Sequence, residues 1–469
     1  MKRHATCIIV VMMLMAYATS ATYKPLQITS LFRHGSRSPI KNQMNLPWVE
    51  KVGEGNLTNV GMRQHFVLGR QLRKSYPDLF DYKTFSTYDY YLRSSPVFRT
   101  IQSGISQLNG IYEAGDTIDS GFGMSITNTD PANIDPNFDP IDYQFDNKKA
   151  LPYGFGVFPL ITDTMELDFH FRVDQSCPNI KHLIQAGRKE KEKKYKDVPK
   201  ETFDSLTKLG LKATTFGGSS DNEWDLHSLD KVFDSMWADY YYTGKPYQGA
   251  DEKFYSKLRT AMSMNTLLDY PTDTVVRLFT DAVSHSVIEG MEGKINGTIP
   301  HKLRMFSGHD SNVVPFMMKH NLISLTCLKE LYQTGKSTSI CELHPNFASS
   351  FIWELNQRDT DKKYFVRVLF NGKPVKFCFE NQDDHYCEFS LFKDEIGKRM
   401  YLDRFMDKCG NLYYKQSNWR STLYVLLAGL SCAAVASLVL VWQYTRTYLK
   451  AKRSATHEHE ETQQIKTDE

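Results

Sequence analysis

The 469-residue chain is short of the features that mark several protein classes. Its formal charge of +3 gives no basic field of the kind that binds nucleic acid. It has eight cysteines, and none is spaced like a zinc site. No internal repeat and no long low-complexity linker divides it, so a solenoid or beads-on-a-string architecture is excluded. Long apolar runs are scarce. The run at 7–15 is too short for a span of roughly 20 residues, whereas 423–442 is twenty residues without a charge.

The two apolar runs differ in their flanks. Lys2, Arg3 and His4 precede the first, and Ala18, Ser20 and Ala21 follow it, so 1–21 reads as a cleavable signal peptide. The second has only Lys415 and Arg420 just before it, but Arg446, Lys450, Lys452 and Arg453 after it. That asymmetry predicts one transmembrane helix at 422–444 and a cytosolic tail at 445–469. Residues 22–415 then lie in the lumen or outside the cell, as in a single-pass type I protein. The cysteines fit such a compartment. Setting aside Cys7 and Cys432 in the apolar runs leaves Cys177, Cys327, Cys341, Cys378, Cys387 and Cys409, and six cysteines permit 15 pairings. Asn56 and Asn296 stand in glycosylation sequons, although Thr58 is also the natural cap of the helix that follows.

Strand patterns occur at 26–32, 88–92, 303–306, 350–355, 364–370 and 374–377, with an Asn371-Gly372 hairpin signal between the last two. From Thr58 a helix is expected to carry Met62, Phe66, Gly69, Leu72 and Tyr76 on one face and to end before Pro77. Leu229, Val232, Phe233, Met236, Trp237 and Tyr240 recur at helical spacing, a pattern that more often marks core than ligand site. Residues 188–196 are a solvated charge run. The expected fold class is α/β: a sheet core at about 22–150 and 290–410, interrupted by a mostly helical subdomain at about 151–289.

Chemistry gathers at the strand ends. Arg33-His34-Gly35-Ser36-Arg37 follows the first strand, Arg93 follows the second, and His309-Asp310 follows the strand at 303–306. Ligand sites in open α/β sheets lie beyond carboxyl strand ends. Guanidinium forks beside an imidazole suit a phosphoryl group, because the forks hold oxygens while a ring nitrogen attacks phosphorus. A lone arginine is usually an ion pair and a lone His-Asp usually a cap. Three clusters at three strand ends outweigh those readings.

With these residues the chain resembles the histidine acid phosphatases of the phosphoglycerate-mutase-like superfamily, the branch of the lysosomal and prostatic enzymes. The R-H-G-x-R-x-P motif is met at 33–39, G-x-L-T-x-x-G-M-x-Q-H at 55–65, R-S-T by Arg93-Ser94-Ser95, and H-D by His309-Asp310. The resemblance implies hydrolysis of phosphate monoesters at acid pH, without cofactor or metal, through a phosphohistidine on His34. Asp310 would be the proton donor, and Arg33, Arg37, Arg93 and His309 would bind phosphate. It further implies a homodimer, in lysosomal or cell-surface membrane. By resemblance, Cys177 pairs with Cys409 and Cys378 with Cys387, and Cys327–Cys341 looks like a replacement bridge for a family cysteine missing at Ser350. Ser36, Pro96 and Phe98 stand where the family carries acids. A phytase or inositol-polyphosphate phosphatase is the alternative enzyme, disfavoured by the H-D pair. An inactive, tethered binding ectodomain is the alternative outside enzymes.

Overall fold

The computed structural model describes residues 22–80, 86, 88–112, 157–378, 385–410 and 412–465, with the side chains of the last segment described over 426–453. The expected signal peptide, and residues 113–150 of the expected sheet core, lie outside the described residues. Among the described residues seven strands form one sheet: β1 Tyr23–Arg33, β2 Tyr90–Ser94, β3 Leu303–Gly308, β4 Ser350–Arg358, β5 Tyr364–Phe370, β6 Lys373–Val375 and β7 Tyr386–Glu388. Their order is β2-β3-β1-β4-β5-β6, with β7 pairing β5. The β2-β3-β1 half is parallel and the β1-β4-β5 half antiparallel.

β1 sits between a parallel and an antiparallel neighbour, with helices on both faces. From Gln27 to Arg33 every residue is therefore buried, the polar Gln27, Thr29 and Ser30 along with Ile28, Leu31 and Phe32. Ile28, Phe32, Leu303, Met305 and Ile352 face one layer, packed with Leu72, Leu108 and Ile111. Phe351 and Trp353 pack against Phe316. Each such side chain contributes roughly 1.5–3 kcal/mol on burial. The Asn371-Gly372 turn has φ of 48° and 77°, the positive pair that a two-residue hairpin linking β5 to β6 requires.

The helix after Thr58 forms as Asn59–Ser75, and its cap is made: the Thr58 hydroxyl accepts from the Gly61 amide at 3.1 Å. The buried face is the expected one in part: Gly69, Leu72 and Tyr76 are buried, but Phe66 is only half-buried. Gly61, His65, Gly69 and Leu72 are buried, while Met62 is 40% exposed. The cause is close approach to the Phe98–Ile111 helix. A Cβ on Gly69 would meet the Gln107 carbonyl oxygen at 2.0 Å, and one on Gly110 would meet that of Phe66 at 2.0 Å. Close glycine contact adds to the apolar pattern in setting the helix rotation.

Between the Phe98–Ile111 helix and β3, the described elements are helical: Val173–Ser176, Ile180–Tyr195, Lys200–Lys208, a short 3-10 turn, Leu226–Thr243, Glu252–Leu268 and Asp273–Ile295. The chain divides into two compact units at Phe405/Met406. The second unit contains the Leu412–Ile465 helix, whose segment Leu426–Arg453 is long and apolar enough to cross a membrane, with a mean hydropathy of 1.9. Cys327 is bonded to Cys341 and Cys378 to Cys387. Cys177 and Cys409 are also in disulfide form.

Candidate active site

The parallel strands end together. The His34 amide donates to the Gly308 carbonyl (2.9 Å) and the Ser95 amide to that of Ser307 (3.0 Å), so the residues after β1, β2 and β3 meet at one edge. Gly35 turns the chain there against the Asn59–Ser75 helix, where a Cβ would lie 2.4 Å from the Gly61 carbonyl oxygen. No larger residue fits without moving that helix.

His34 is 2% exposed. Its Nδ1 lies 2.9 Å from the Gly35 carbonyl oxygen. A carbonyl only accepts, so Nδ1 carries the hydrogen and Nε2 keeps a free lone pair. Burial, then Arg99, Arg33, Arg37 and His309, holds the His34 pKa well below that of a free imidazole. The ring is therefore neutral in acid.

The surrounding guanidiniums are only partly committed. Arg33 donates 2.8 Å to Asp310 Oδ2 and also to the Pro345 carbonyl, and it stacks on Phe347 at 4.5 Å. Arg37 pairs with Asp234 at 2.7 Å. Among the described residues Arg99 reaches only the Gly55 carbonyl at 3.4 Å, its Nε is buried without a partner there, and burial and Arg37 lower its pKa to about 10. Uncommitted, crowded positive charge of this kind is an anion site. His309 Nε2 lies 3.0 Å from Ser95 Oγ, and burial together with Arg99 lowers its pKa to about 3. For Asp310, burial raises the pKa, but Arg33 and His344 outweigh it and hold the carboxyl well below the usual range.

Two cavities meet here. One of about 360 Å³ is lined by His34, Arg37, Arg99, Arg172, His309 and Asp310. The other, about 450 Å³, is lined by Arg33, Arg37, Asp230, Asp234, Asp310 and His344 among others. Arg37 and Asp310 border both. A larger hollow of about 920 Å³ lies over Asn59, Arg63, Val67 and Tyr242, but it gathers no imidazole or carboxylate and has no reactive group to offer.

The structure thus brings together Arg33, His34, Arg37, His309 and Asp310. It does not bring Arg93. Arg93 lies within β2, where its side chain pairs with Asp163 and reaches the Tyr91 hydroxyl at 3.3 Å, and it lines neither cavity. Arg99, six residues on in the first turn of the Phe98–Ile111 helix, stands in the pocket instead. β2 runs to Ser94, two residues beyond the end its sequence pattern predicts, and the arginine that follows its true end is Arg99. His65 was also missed as a support: its Nε2 lies 3.1 Å from the Arg33 carbonyl, and burial lowers its pKa to about 4. Beside Arg93, the ligand atoms of Asp163, Asp168 and His170 lie within 4.8 Å of one another. That group is already engaged, Asp163 by Arg93 and His170 by Ser286 at 3.0 Å.

Residues 26–371 match the model of the histidine phosphatase superfamily (branch 2). The chain belongs to that family, among the histidine acid phosphatases. Human prostatic acid phosphatase is 26% identical over 353 residues, covering 74% of this chain and 81% of that protein. Lysosomal acid phosphatase of Xenopus laevis is 38% identical over 88 residues, which is 18% of this chain and only 20% of the relative's length. Among solved structures, Klebsiella phytase aligns with a TM-score of 0.51 at 13% identity, over 82% of this chain and 97% of that one. Bifidobacterium longum multiple inositol polyphosphate phosphatase aligns with 0.51 at 15%, over 81% and 94%. These two likenesses are of fold alone.

Proposed function

We propose that this chain is an acid phosphatase that hydrolyses phosphate monoesters by way of a phosphohistidine on Nε2 of His34. The observation that carries this is a neutral, tautomer-fixed His34 surrounded by partly free guanidiniums of Arg33, Arg37 and Arg99. Those three, with His309, hold the phosphoryl oxygens and stabilise the charge that spreads over them in transfer. Nε2 forms a bond to phosphorus as the phosphorus–oxygen bond to the alcohol breaks, and Asp310 gives the departing oxygen its proton. Water then attacks phosphorus, the nitrogen–phosphorus bond breaks, and the Asp310 carboxylate takes the water's proton. The cycle ends with inorganic phosphate and the starting enzyme.

Asp310 is ionised in the free site because Arg33 faces it. An arriving phosphate draws on Arg33 and adds negative charge beside the carboxyl, and both effects raise its pKa. Substrate binding therefore protonates the acid, and a monoester that brings its own proton in mildly acid solution meets this need best. Asp230 and Asp234 line the neighbouring cavity, which disfavours a polyanionic leaving group such as an inositol polyphosphate.

We further infer a type I membrane protein with this site on the lumenal or outer face, a Cys177–Cys409 bridge, glycans at Asn56 and Asn296, and a homodimer of the family kind. The test of the chemistry is rapid quench with labelled nitrophenyl phosphate. Acid-labile, base-stable label is expected on the wild type and none on His34→Ala. Turnover without any labelled enzyme would refute the covalent route.

A further inference from the structure

His344 is a buried imidazole, 3% exposed, that the family motifs do not include. Its Nε2 lies 3.5 Å from Asp310 Oδ2, on the rim of the cavity that Asp310 shares with the phosphate side. Its position is fixed from several directions. The Cys327–Cys341 bridge and a 2.7 Å bond from the Glu342 amide to the Leu322 carbonyl anchor the chain just before it. Its amide donates to Ser263 Oγ at 2.7 Å and its carbonyl accepts from Arg259 at 2.8 Å, both on the Glu252–Leu268 helix. Phe233 packs edge-on to the ring at 5.7 Å. Such support is what keeps a side chain in place beside a reacting group.

The tautomer follows from its surroundings. Nδ1 is buried without a partner. A buried N–H with no acceptor costs more than a bare lone pair, so the hydrogen sits on Nε2 and points at Asp310. Burial keeps the ring pKa low, with Arg33 and Arg259 adding to it and Asp310 opposing. The charged groups facing the ring are Asp310, Arg33 and Arg259, with Asp230 and Asp234 across the cavity.

Asp310 Oδ1 accepts from the Ser311 amide at 2.7 Å, while Oδ2 is shared between Arg33 and His344. Incoming phosphate competes for Arg33. We propose that His344 is a positioning residue for Asp310, its Nε2–H holding the Oδ2 edge toward the leaving oxygen once Arg33 has turned to phosphate. This rests on the phosphohistidine reading above. Asp310 serves twice, first as acid and then as base, and a neutral donor suits both states because it does not lock the carboxyl in the ionised form as a cation would.

The experiment uses the whole protein with His344→Leu, which keeps the bulk and removes the N–H, and His344→Gln, whose amide returns a donor near the Nε2 position. In His344→Leu, kcat for alkyl phosphates is expected to fall roughly tenfold, against a few-fold at most for nitrophenyl phosphate. The alkaline limb of its kcat profile should move to higher pH, since a donor favouring the carboxylate is gone. His344→Gln should recover most of the alkyl phosphate rate. Equal losses for both esters in a folded His344→Leu protein, with the limb unmoved, overturn the inference while wild-type labelling of His34 still stands. If His344→Leu does not fold, a folded His344→Gln enzyme that loses the alkyl phosphate and nitrophenyl phosphate rates equally, by roughly tenfold or more, overturns it as well. A wild type that never labels removes the covalent reading and this inference with it.

Discussion

The Gly35 carbonyl oxygen sits 2.9 Å from Nδ1 of His34, the residue before it. The His34 ring is thus oriented by its own neighbour, and only a glycine can make the turn that does so, because Gly61 backbone fills the space a Cβ would take. Arg99 is the largest electrostatic influence on that ring after burial.

Arg99→Gln should accordingly do two things. Losing a phosphate-binding charge should lower kcat/KM by roughly 100-fold. Removing a positive neighbour should also raise the His34 pKa, so the acid limb of kcat/KM moves to higher pH. Arg93→Gln should leave both within a few-fold, since Arg93 is engaged by Asp163 away from the cavity. pH-rate profiles of the two variants compare the assignments directly, and a larger loss at Arg93 would reverse them.

Glu354 is fully buried in β4, held by the Arg367 fork and by the Tyr76 hydroxyl. Arg367→Met strands that carboxylate. A loss of about 3 kcal/mol or more is expected, read by urea unfolding at neutral pH. Replacing both partners, as Glu354→Gln with Arg367→Met, should recover part of it.

Asp168 is 1% exposed, and one of its carboxylate oxygens has no partner. Burial, with a contribution from Asp163, raises its pKa from 3.8 to about 6. The folded state therefore keeps this proton longer than the unfolded chain does, and stability falls as pH rises between about 4 and 6. Asp168→Asn should flatten that slope and stabilise the protein at pH 7 relative to pH 4 by about 1–3 kcal/mol. Urea midpoints at the two pH values measure it. An unchanged slope would mean another group carries the dependence.

Truncation before Leu423 removes the candidate span and its basic flank. A secreted, soluble and still active enzyme is expected. Retention of the truncated protein on membranes after a carbonate wash would contradict a single anchor.

Some of this was legible in the chain alone. β1, β3, β4 and β5 were legible because short segments rich in apolar and β-branched residues suit buried strands, and the β5–β6 hairpin because Asn371-Gly372 has one favoured geometry. His34 and Asp310 were legible because local order places each right after a strand. The apolar helix near the end was legible because length and charge alone define it. The rest needed tertiary structure. Which arginine enters the pocket turned on where β2 ends and the next helix begins, a two-residue matter that separates Arg93 from Arg99. The Asn59–Ser75 helix buries Gly69 and Leu72 as its pattern expects, but close glycine contacts with the Phe98–Ile111 helix leave Met62 exposed. His344 meets Asp310 only because a bridged loop after the Leu325–Thr334 helix folds back over the strand ends, a juxtaposition no local spacing encodes.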